Sequence, residues 1–132
     1  TYFAAKKAME LGATEVVILG GLGGRLDHTL ANLQTILYLQ QNKISAILAD
    51  ETTQVRVLLP GHHEIIAQEN SYLSLLPTEA SATGVTLAQV QYPLTDATLT
   101  NVWPVGVSNE FVAQYADVTV KTGGLFCIIC KK

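Results

Sequence analysis

Charge is scarce in this sequence, and that scarcity narrows the classes of protein to which the chain can belong. Only 14% of its 132 residues are charged, the formal net charge is −3, and Lys and Arg form no cluster. The electrostatic footprint of a nucleic-acid-binding protein is therefore missing. No apolar run approaches the length of a membrane span, and no signal-peptide pattern opens the chain. We accordingly expect neither nucleic acid nor a membrane as a partner.

Cysteine is nearly absent as well, since only Cys127 and Cys130 occur, both within one β-like run. Residues three apart on a strand point to opposite faces, so this pair is a poor redox or zinc site. We expect both thiols to lie in the core, as cysteine side chains commonly do. This usage of cysteine predicts a reducing, cytoplasmic setting. The hydrophobic content of 48% predicts a globular domain with no disordered tail.

What the sequence does have is a glycine-rich stretch, residues 20–28, that lies between two apolar segments. The run Val16–Leu19 before it predicts a buried strand, and the segment from about residue 28 to residue 41 predicts a helix. A strand, a glycine turn and a helix in this order present backbone N–H groups to an anionic ligand. The glycines allow a sharp turn and the close approach of a phosphate.

Two charged residues of this stretch could take part in such a site. Arg25 can bind phosphate oxygens through two N–H groups at once. Asp27 can hold a magnesium ion or orient a hydroxyl nucleophile. The alternative interpretation is an ordinary βα turn in which Asp27 is the helix N-cap and Arg25 is a surface residue.

The first part of the chain has an α/β pattern. A helix is predicted from residue 2 to residue 11, with Ala4, Ala8 and Leu11 on one stripe and Gly12 as its stop. Strands are predicted at 15–19 and 44–49, parallel and linked by the helix that follows the glycine turn. Because two parallel strands do not form a stable layer alone, we expect this part to be the back end of a larger α/β domain.

After Asp50 the pattern changes to short β runs separated by turn residues, which is typical of a β-sandwich or barrel-like module. The predicted strands lie at 54–59, 64–67, 72–76 and 84–88, and 118–121 and 125–130 are expected to form a terminal hairpin around residues 122–124. The domain border is placed near Asp50–Thr53. The predicted domains are therefore residues 1–52 and residues 53–132.

The segment Val105–Phe111 contains more polar groups than a turn requires. Ser108 and Asn109 could present a hydroxyl and an amide to a heteroaromatic ligand. Alternatively, they could bond to their own backbone in an ordinary turn. Trp103, the only Trp, is expected to pack in the core because its neighbours are apolar, although it could also line a ligand pocket.

The three histidines give weaker signals. His28, at the start of the helix, could titrate near neutral pH, but a structural or solvated role is favoured over a catalytic one. His62 and His63 are adjacent, so on a strand they would face opposite sides and would not form a metal site.

Six motifs occur in one order over nearly the whole chain and together resemble bacterial thiamine pyrophosphokinase. They are Gly-Gly-Arg-Leu-Asp-His-Thr-Leu-Ala-Asn (23–32), Leu-Ser-Leu-Leu-Pro (73–77), Thr-Gly-Val-Thr-Leu (83–87), Tyr-Pro-Leu (92–94), Gly-Val-Ser-Asn-Glu-Phe (106–111) and a terminal glycine-rich β-hairpin. Each motif is weak alone, but six in this order are a specific signal. The resemblance also implies a further α/β half-domain before this point, with acidic ATP and magnesium ligands that are not in this sequence.

The resemblance implies an α/β plus all-β fold: the C-terminal part of a Rossmann-like catalytic domain that binds ATP (residues 1–52), then a β-sandwich domain that binds thiamine (residues 53–132). It implies transfer of pyrophosphate from ATP to thiamine with Mg²⁺, in a homodimer with the thiamine site between subunits. The implied site residues are as follows: Gly21, Gly23, Gly24 and Arg25 for ATP, Asp27 and Arg25 for catalysis, Asp27 for the metal, and Ser108 and Asn109 for thiamine.

Two other interpretations fit parts of the sequence. The β domain could be a non-catalytic thiamine-binding or dimerising module to which the α/β part only docks. Another nucleotide-dependent kinase could share the glycine-rich turn, but such an enzyme would not account for Ser108, Asn109 and the β domain.

Overall fold

The computed structural model describes residues Thr1–Lys132, which divide into two compact units, Thr1–Val57 and Leu58–Lys132. In the first unit the elements are α1 (Tyr2–Glu10), β1 (Glu15–Leu19), α2 (Leu26–Gln41), β2 (Ser45–Ala49) and β3 (Thr53–Leu58). No helix is long and apolar enough to span a bilayer.

The parallel pairing predicted for the first unit is confirmed. β1 and β2 run parallel in the register Glu15↔Ser45 to Leu19↔Ala49, and α2 connects them. β3 then returns antiparallel to β2 through a tight turn in which the Asp50 carboxylate accepts the backbone N–H groups of Thr52 and Thr53, both at 2.8 Å. These hydrogen bonds lower the pKa of Asp50, and the one from the Thr52 N–H has the largest effect. The division into functional domains at 52/53 stays a prediction.

Burial in the first unit differs from expectation at two elements. β1 is not a buried strand, because Val17 and Leu19 are 60% and 75% exposed and only the alternate side chains are half-buried. β1 lies at the edge of its sheet, and one of its two faces is uncovered. In α1 the buried residue is Ala5, whereas Ala4 is exposed and Ala8 is half-buried. Leu11 is exposed at the C-cap, beyond the last helical residue.

The second unit is all β. Its strands are β4 (Gly61–Ile66), β5 (Ser71–Pro77), β6 (Ser81–Ala88), β7 (Leu94–Thr100), β8 (Asn109–Glu110), β9 (Tyr115–Val120) and β10 (Leu125–Lys131). They form one sheet in the order β4-β9-β6-β7, while β10, β5 and β8 lie side by side in another. The sequence pattern predicts no strand at β7 and none at β8, whose residues lie in the segment interpreted either as a ligand-binding segment or as a turn.

One apolar core is shared by the two sheets of the second unit. Alternate residues of strands from both sheets contribute to it, among them Leu73 and Leu75 of β5, Leu87 of β6 and Val118 of β9. Alternation of this kind is the mark of a sandwich in which each sheet buries one face. The predicted fold class, an α/β part followed by a β-sandwich, is therefore confirmed.

The predicted terminal hairpin is wrong. β9 pairs with β4 and β6, whereas β10 pairs with β5 in the register Leu125↔Pro77 to Lys131↔Ser71. The link between β9 and β10 crosses from one sheet to the other, held by backbone hydrogen bonds between Thr83 and both Lys121 and Thr122. Along β10, Cys127 is buried and Cys130 is half-buried, so the expectation of two core thiols holds fully only for Cys127.

Candidate functional site

The glycine turn joins β1 to α2 as the sequence predicts. Gly20, Gly23 and Gly24 have φ angles of 74°, 78° and 69°, a left-handed conformation that other residues adopt only at a cost. A Cβ atom at any of these three positions would meet nothing within 4 Å. The turn therefore needs these glycines for its backbone conformation, and its outer surface is open to a ligand.

Gly21 is required for a different reason, since it is packed against the rest of the unit. A Cβ atom here would lie 2.6 Å from Cδ1 of Leu48 and 3.0 Å from Nδ2 of Asn32. The buried Asn32 amide donates to the Gly21 carbonyl oxygen at 3.0 Å, which ties the turn to α2. Sequence reasoning assigned no role to Asn32; the available signal was a polar residue between the apolar residues Leu30 and Leu33 of the helix.

Arg25 and Asp27 are brought together at the start of α2. Nη2 of Arg25 lies 2.7 Å from Oδ2 of Asp27, and Nε of Arg25 donates to Oδ1 at 3.2 Å. Both side chains are exposed, and Oδ1 also accepts the backbone N–H of His28 at 3.0 Å. The helix N-cap is Arg25 rather than Asp27, because α2 begins at Leu26 and includes Asp27 in its first turn.

The electrostatics of this pair keep Asp27 ionised. The Arg25 guanidinium lowers the pKa of the Asp27 carboxyl below its ordinary value, and the N–H of His28 lowers it further. A carboxylate in the first turn of a helix is also favoured by the positive end of the helix dipole. At neutral pH the start of α2 therefore carries an ionised carboxylate and a guanidinium side by side. Because both side chains are exposed, each can exchange its present partner for a ligand.

A cleft of about 580 Å³ lies beside the start of α2 in the same unit. His28, Asn32 and Thr35 of α2 line it together with Tyr2 and Tyr38. The Tyr2 and Tyr38 rings meet edge to face with centroids 5.4 Å apart. The cleft combines aromatic surface with a few polar groups, the composition typical of a small-molecule site.

In the second unit, Ser108 and Asn109 occupy contrasting environments. Asn109 is buried; its Oδ1 accepts the Tyr92 N–H at 2.9 Å and its Nδ2 donates to the Tyr92 carbonyl at 2.7 Å. Oδ1 also accepts the Glu110 N–H at 2.9 Å. Ser108 is exposed and has a left-handed φ of 62°. Ser108 therefore presents its side chain to solvent, whereas the amide of Asn109 is hydrogen-bonded to the backbone of Tyr92 and Glu110.

Trp103 does not lie in the core. It is 68% exposed and follows Val102, which is 83% exposed, in a turn after β7. Apolar neighbours in an irregular segment do not define a buried face, because such a segment lacks a regular period. The expectation of a packed Trp103 is therefore corrected.

The two adjacent histidines face opposite sides of β4, as predicted. His62 Nε2 lies 2.7 Å from Oδ1 of Asp117, and His63 Nε2 lies 2.7 Å from the Leu59 carbonyl oxygen. The amide of Gln89, at 2.8 Å, and the His62 ring lower the pKa of Asp117. No group of three or more His, Cys, Asp or Glu side chains in the chain is arranged to hold a metal ion.

Comparison with known proteins places the two units in one family. Residues 1–48 match the model of the thiamin pyrophosphokinase catalytic domain, and residues 62–125 match that of the thiamin pyrophosphokinase vitamin B1 binding domain. The chain is 29% identical over 122 residues to thiamine pyrophosphokinase of Bacillus subtilis (strain 168), covering 92% of this chain and 57% of the relative. It is 31% identical over 107 residues to thiamine pyrophosphokinase 2 of Oryza sativa subsp. japonica, covering 78% and 39%.

A solved structure agrees with these matches. The crystal structure of the Bacillus subtilis thiamine pyrophosphokinase superposes with a TM-score of 0.93 at 27% identity, covering 98% of this chain and 62% of that protein. The chain thus spans about half the length of the curated relatives it matches. Since two family models account for most of the sequence, in the order of the two units, the chain belongs to the thiamine pyrophosphokinase family.

Proposed function

We propose that this chain is part of a thiamine pyrophosphokinase, an enzyme that transfers pyrophosphate from ATP to the hydroxyethyl group of thiamine. The thiamine hydroxyl oxygen forms a bond to the β-phosphorus of ATP and loses its proton, and the bond from that phosphorus to the bridging oxygen of the α-phosphate breaks. The products are thiamine diphosphate and AMP. The observation that carries the proposal is that the catalytic-domain match and the vitamin B1 binding-domain match fall on separate compact units of the chain.

The glycine turn and its two charged residues are the proposed nucleotide side of the site. Gly21, Gly23 and Gly24 shape the backbone beside ATP, and Arg25 neutralises phosphate charge. Asp27 orients the attacking hydroxyl or holds the metal. The exposed positions of Arg25 and Asp27 support these roles, because both can reach a ligand by releasing one another.

Mg²⁺ is the proposed metal. Magnesium bound with a nucleotide takes one or two protein carboxylates, while phosphate oxygens and water complete its octahedron. The single carboxylate of Asp27 fits that requirement, although it must first give up its contacts with Arg25. When bound, Mg²⁺ neutralises phosphate charge during transfer.

Ser108 and Asn109 are the proposed thiamine residues of the second unit. The exposed Ser108 hydroxyl is suited to a direct contact with a polar edge of thiamine. Asn109 is suited to holding the shape of the segment, since its amide bonds to backbone groups. We further propose a homodimer with the thiamine site between subunits, and a cytoplasmic location.

The decisive measurement is AMP release from ATP and Mg²⁺ with and without thiamine, using the full-length protein beside this 132-residue chain. We expect thiamine-dependent AMP from the full-length protein. Thiamine binding without AMP release would instead favour a non-catalytic thiamine-binding module. AMP release that does not depend on thiamine would point to another nucleotide-dependent enzyme.

Asp27→Asn tests the catalytic assignment in the same assay. Loss of the carboxylate should lower thiamine-dependent AMP release by at least about a hundredfold, or about 2.7 kcal/mol of transition-state stabilisation. Asp96→Asn is the matched control, because Asp96 is also an exposed carboxylate in an ion pair, with Lys121 at 3.2 Å. If the Asp27 variant retained a rate within about threefold of the wild-type rate, less than 1 kcal/mol, the assignment would be wrong.

A further inference from the structure

The segment that carries Ser108 lies directly on strand β5. The Leu75 N–H donates to the Gly106 carbonyl oxygen at 2.8 Å, and β8 continues this contact by pairing Asn109 with Leu73. Gly106 is buried between exposed Val105 and Val107. The loop is therefore attached to the backbone of β5 at Gly106 and at Asn109.

Gly106 shows how closely the loop approaches the strand. A Cβ atom at this position would lie 2.5 Å from the Leu75 carbonyl oxygen, a distance that real Cβ contacts do not show. The neighbour is backbone inside a paired strand, so it cannot move aside without breaking hydrogen bonds to β10. Only glycine allows the loop to come this near.

Ser108 needs a second constraint, because its φ of 62° is a conformation that a serine adopts only at a cost. That constraint is the hydroxyl of Ser74 on β5, whose Oγ accepts the Ser108 N–H at 3.0 Å. On the other side of Ser108, the Asn109 amide is bonded to both backbone groups of Tyr92. Ser74 thus fixes the N–H of Ser108, and Tyr92 fixes the next residue, Asn109.

We propose that Ser74 is a positioning residue for thiamine: its hydroxyl fixes the strained Ser108 so that the Ser108 side chain faces the ligand. This proposal rests on the proposed function, since it assumes that Ser108 contacts thiamine. Ser74 acts only through Ser108 and takes no part in the chemistry. Fixing a contact group before the ligand arrives lowers the entropic cost of binding.

The test is steady-state kinetics of Ser74→Ala in the full-length protein. Loss of one neutral hydrogen bond that orders the loop should raise the thiamine KM about fivefold. The ATP KM and kcat should stay within about twofold, because the bond acts on the acceptor alone. Ser74→Thr keeps the hydroxyl and should restore the thiamine KM. Ser81→Ala, at a half-buried serine that begins β6, is the matched control and should leave both KM values unchanged.

Hydrogen exchange at the Ser108 amide separates this proposal from the proposed function. Ser74→Ala should speed that exchange about tenfold or more, whether or not thiamine is a substrate. Faster exchange with an unchanged thiamine KM would overturn the positioning role. The hydrogen bond between Ser108 and Ser74 would then have a structural role only. Equal rises in the thiamine and ATP KM values, or no rescue by Ser74→Thr, would also overturn it. A wild-type protein that neither binds nor converts thiamine would refute the proposed function, and the positioning role with it.

Discussion

Asn109 shows how one buried side chain can serve the backbone of two segments. Its amide accepts the Tyr92 N–H, donates to the Tyr92 carbonyl and accepts the Glu110 N–H. These contacts connect β8 to the stretch after β6, where no regular strand pairing is available at Tyr92. The Asn109 amide thus takes the place of the backbone hydrogen bonds that a neighbouring strand would make with Tyr92.

Replacing Asn109 by Ala should therefore destabilise the protein. Three hydrogen bonds of the Asn109 amide would be lost and a void would remain at this buried position, at a cost of about 1–3 kcal/mol. Urea unfolding followed by circular dichroism measures this loss. Ser108→Ala is the matched control; because that side chain is exposed, its effect should stay within about 0.5 kcal/mol. Equal stability of the two variants would mean that the amide contributes nothing to the fold.

At the scale of single residues, the sequence identified the correct segments more reliably than the environments of the residues within them. Residues 105–111 do form a structured loop with a strained serine, but which of Ser108 and Asn109 faces solvent depends on β5 and Tyr92, far away in sequence. Trp103 was misplaced for the same reason. Its burial depends on what packs over an irregular segment, and local composition does not report that.

The link between β9 and β10 is the element whose role differs most from expectation. A Thr-Gly-Gly sequence between two apolar runs is a strong local signal for a hairpin. In the structure the same residues carry the chain from one sheet of the sandwich to the other. Gly123 has a φ of 79°, and a Cβ atom there would lie 2.5 Å from the Ser81 carbonyl oxygen.

Gly123→Ala should consequently disturb the sandwich. A left-handed alanine costs about 1–2 kcal/mol, and the clash with Ser81 adds about 1–3 kcal/mol because a backbone atom has to move. Gly12→Ala separates the two terms: Gly12 has a similar positive φ, of 86°, but a Cβ atom there would meet nothing within 4 Å. We expect Gly123→Ala to lower the thermal unfolding midpoint further than Gly12→Ala does. The reverse order would show that the backbone at Gly123 can move away from Ser81 at little cost.

Elements with continuous apolar runs or clear flanking glycines were predictable, and elements with broken periodicity were not. β1, α2 and β2 have strong local signals, and each lies within two residues of its predicted place. β7 has the sequence Leu-Thr-Asp-Ala-Thr-Leu-Thr, whose apolar residues do not alternate, and its pairing with β6 contains register shifts. An irregular register removes the period of two that identifies a strand.

At the scale of the whole molecule, the chain exposes several large apolar side chains. In the second unit the most exposed of them are Val102, Trp103 and Ile66. Val102 and Trp103 are neighbours in the turn after β7, on the same stretch of chain that leads to Ser108. Exposed apolar groups beside the proposed thiamine-binding segment fit the proposed homodimer, since such groups can mark association surfaces.

If residues 102–103 lie at the subunit contact, a charge at Val102 should weaken the dimer. Val102→Lys places an ammonium group where an apolar surface would be buried, and its desolvation should raise the dimer dissociation constant at least about tenfold, or about 1.4 kcal/mol. Sedimentation equilibrium of the full-length protein measures this constant. Because the thiamine site is proposed to lie between subunits, the thiamine KM should rise in parallel with the monomer fraction.

Ile66→Lys distinguishes a specific contact from a general effect of added charge. Ile66 is 71% exposed on β4, in the same unit but on a different segment, so its replacement should leave the dissociation constant near the wild-type value. Equal weakening by both substitutions would mean that net charge, rather than the 102–103 contact, governs association. A wild-type protein that sediments as a monomer at every concentration would rule out the homodimer, and the thiamine site would then have to be completed within one chain.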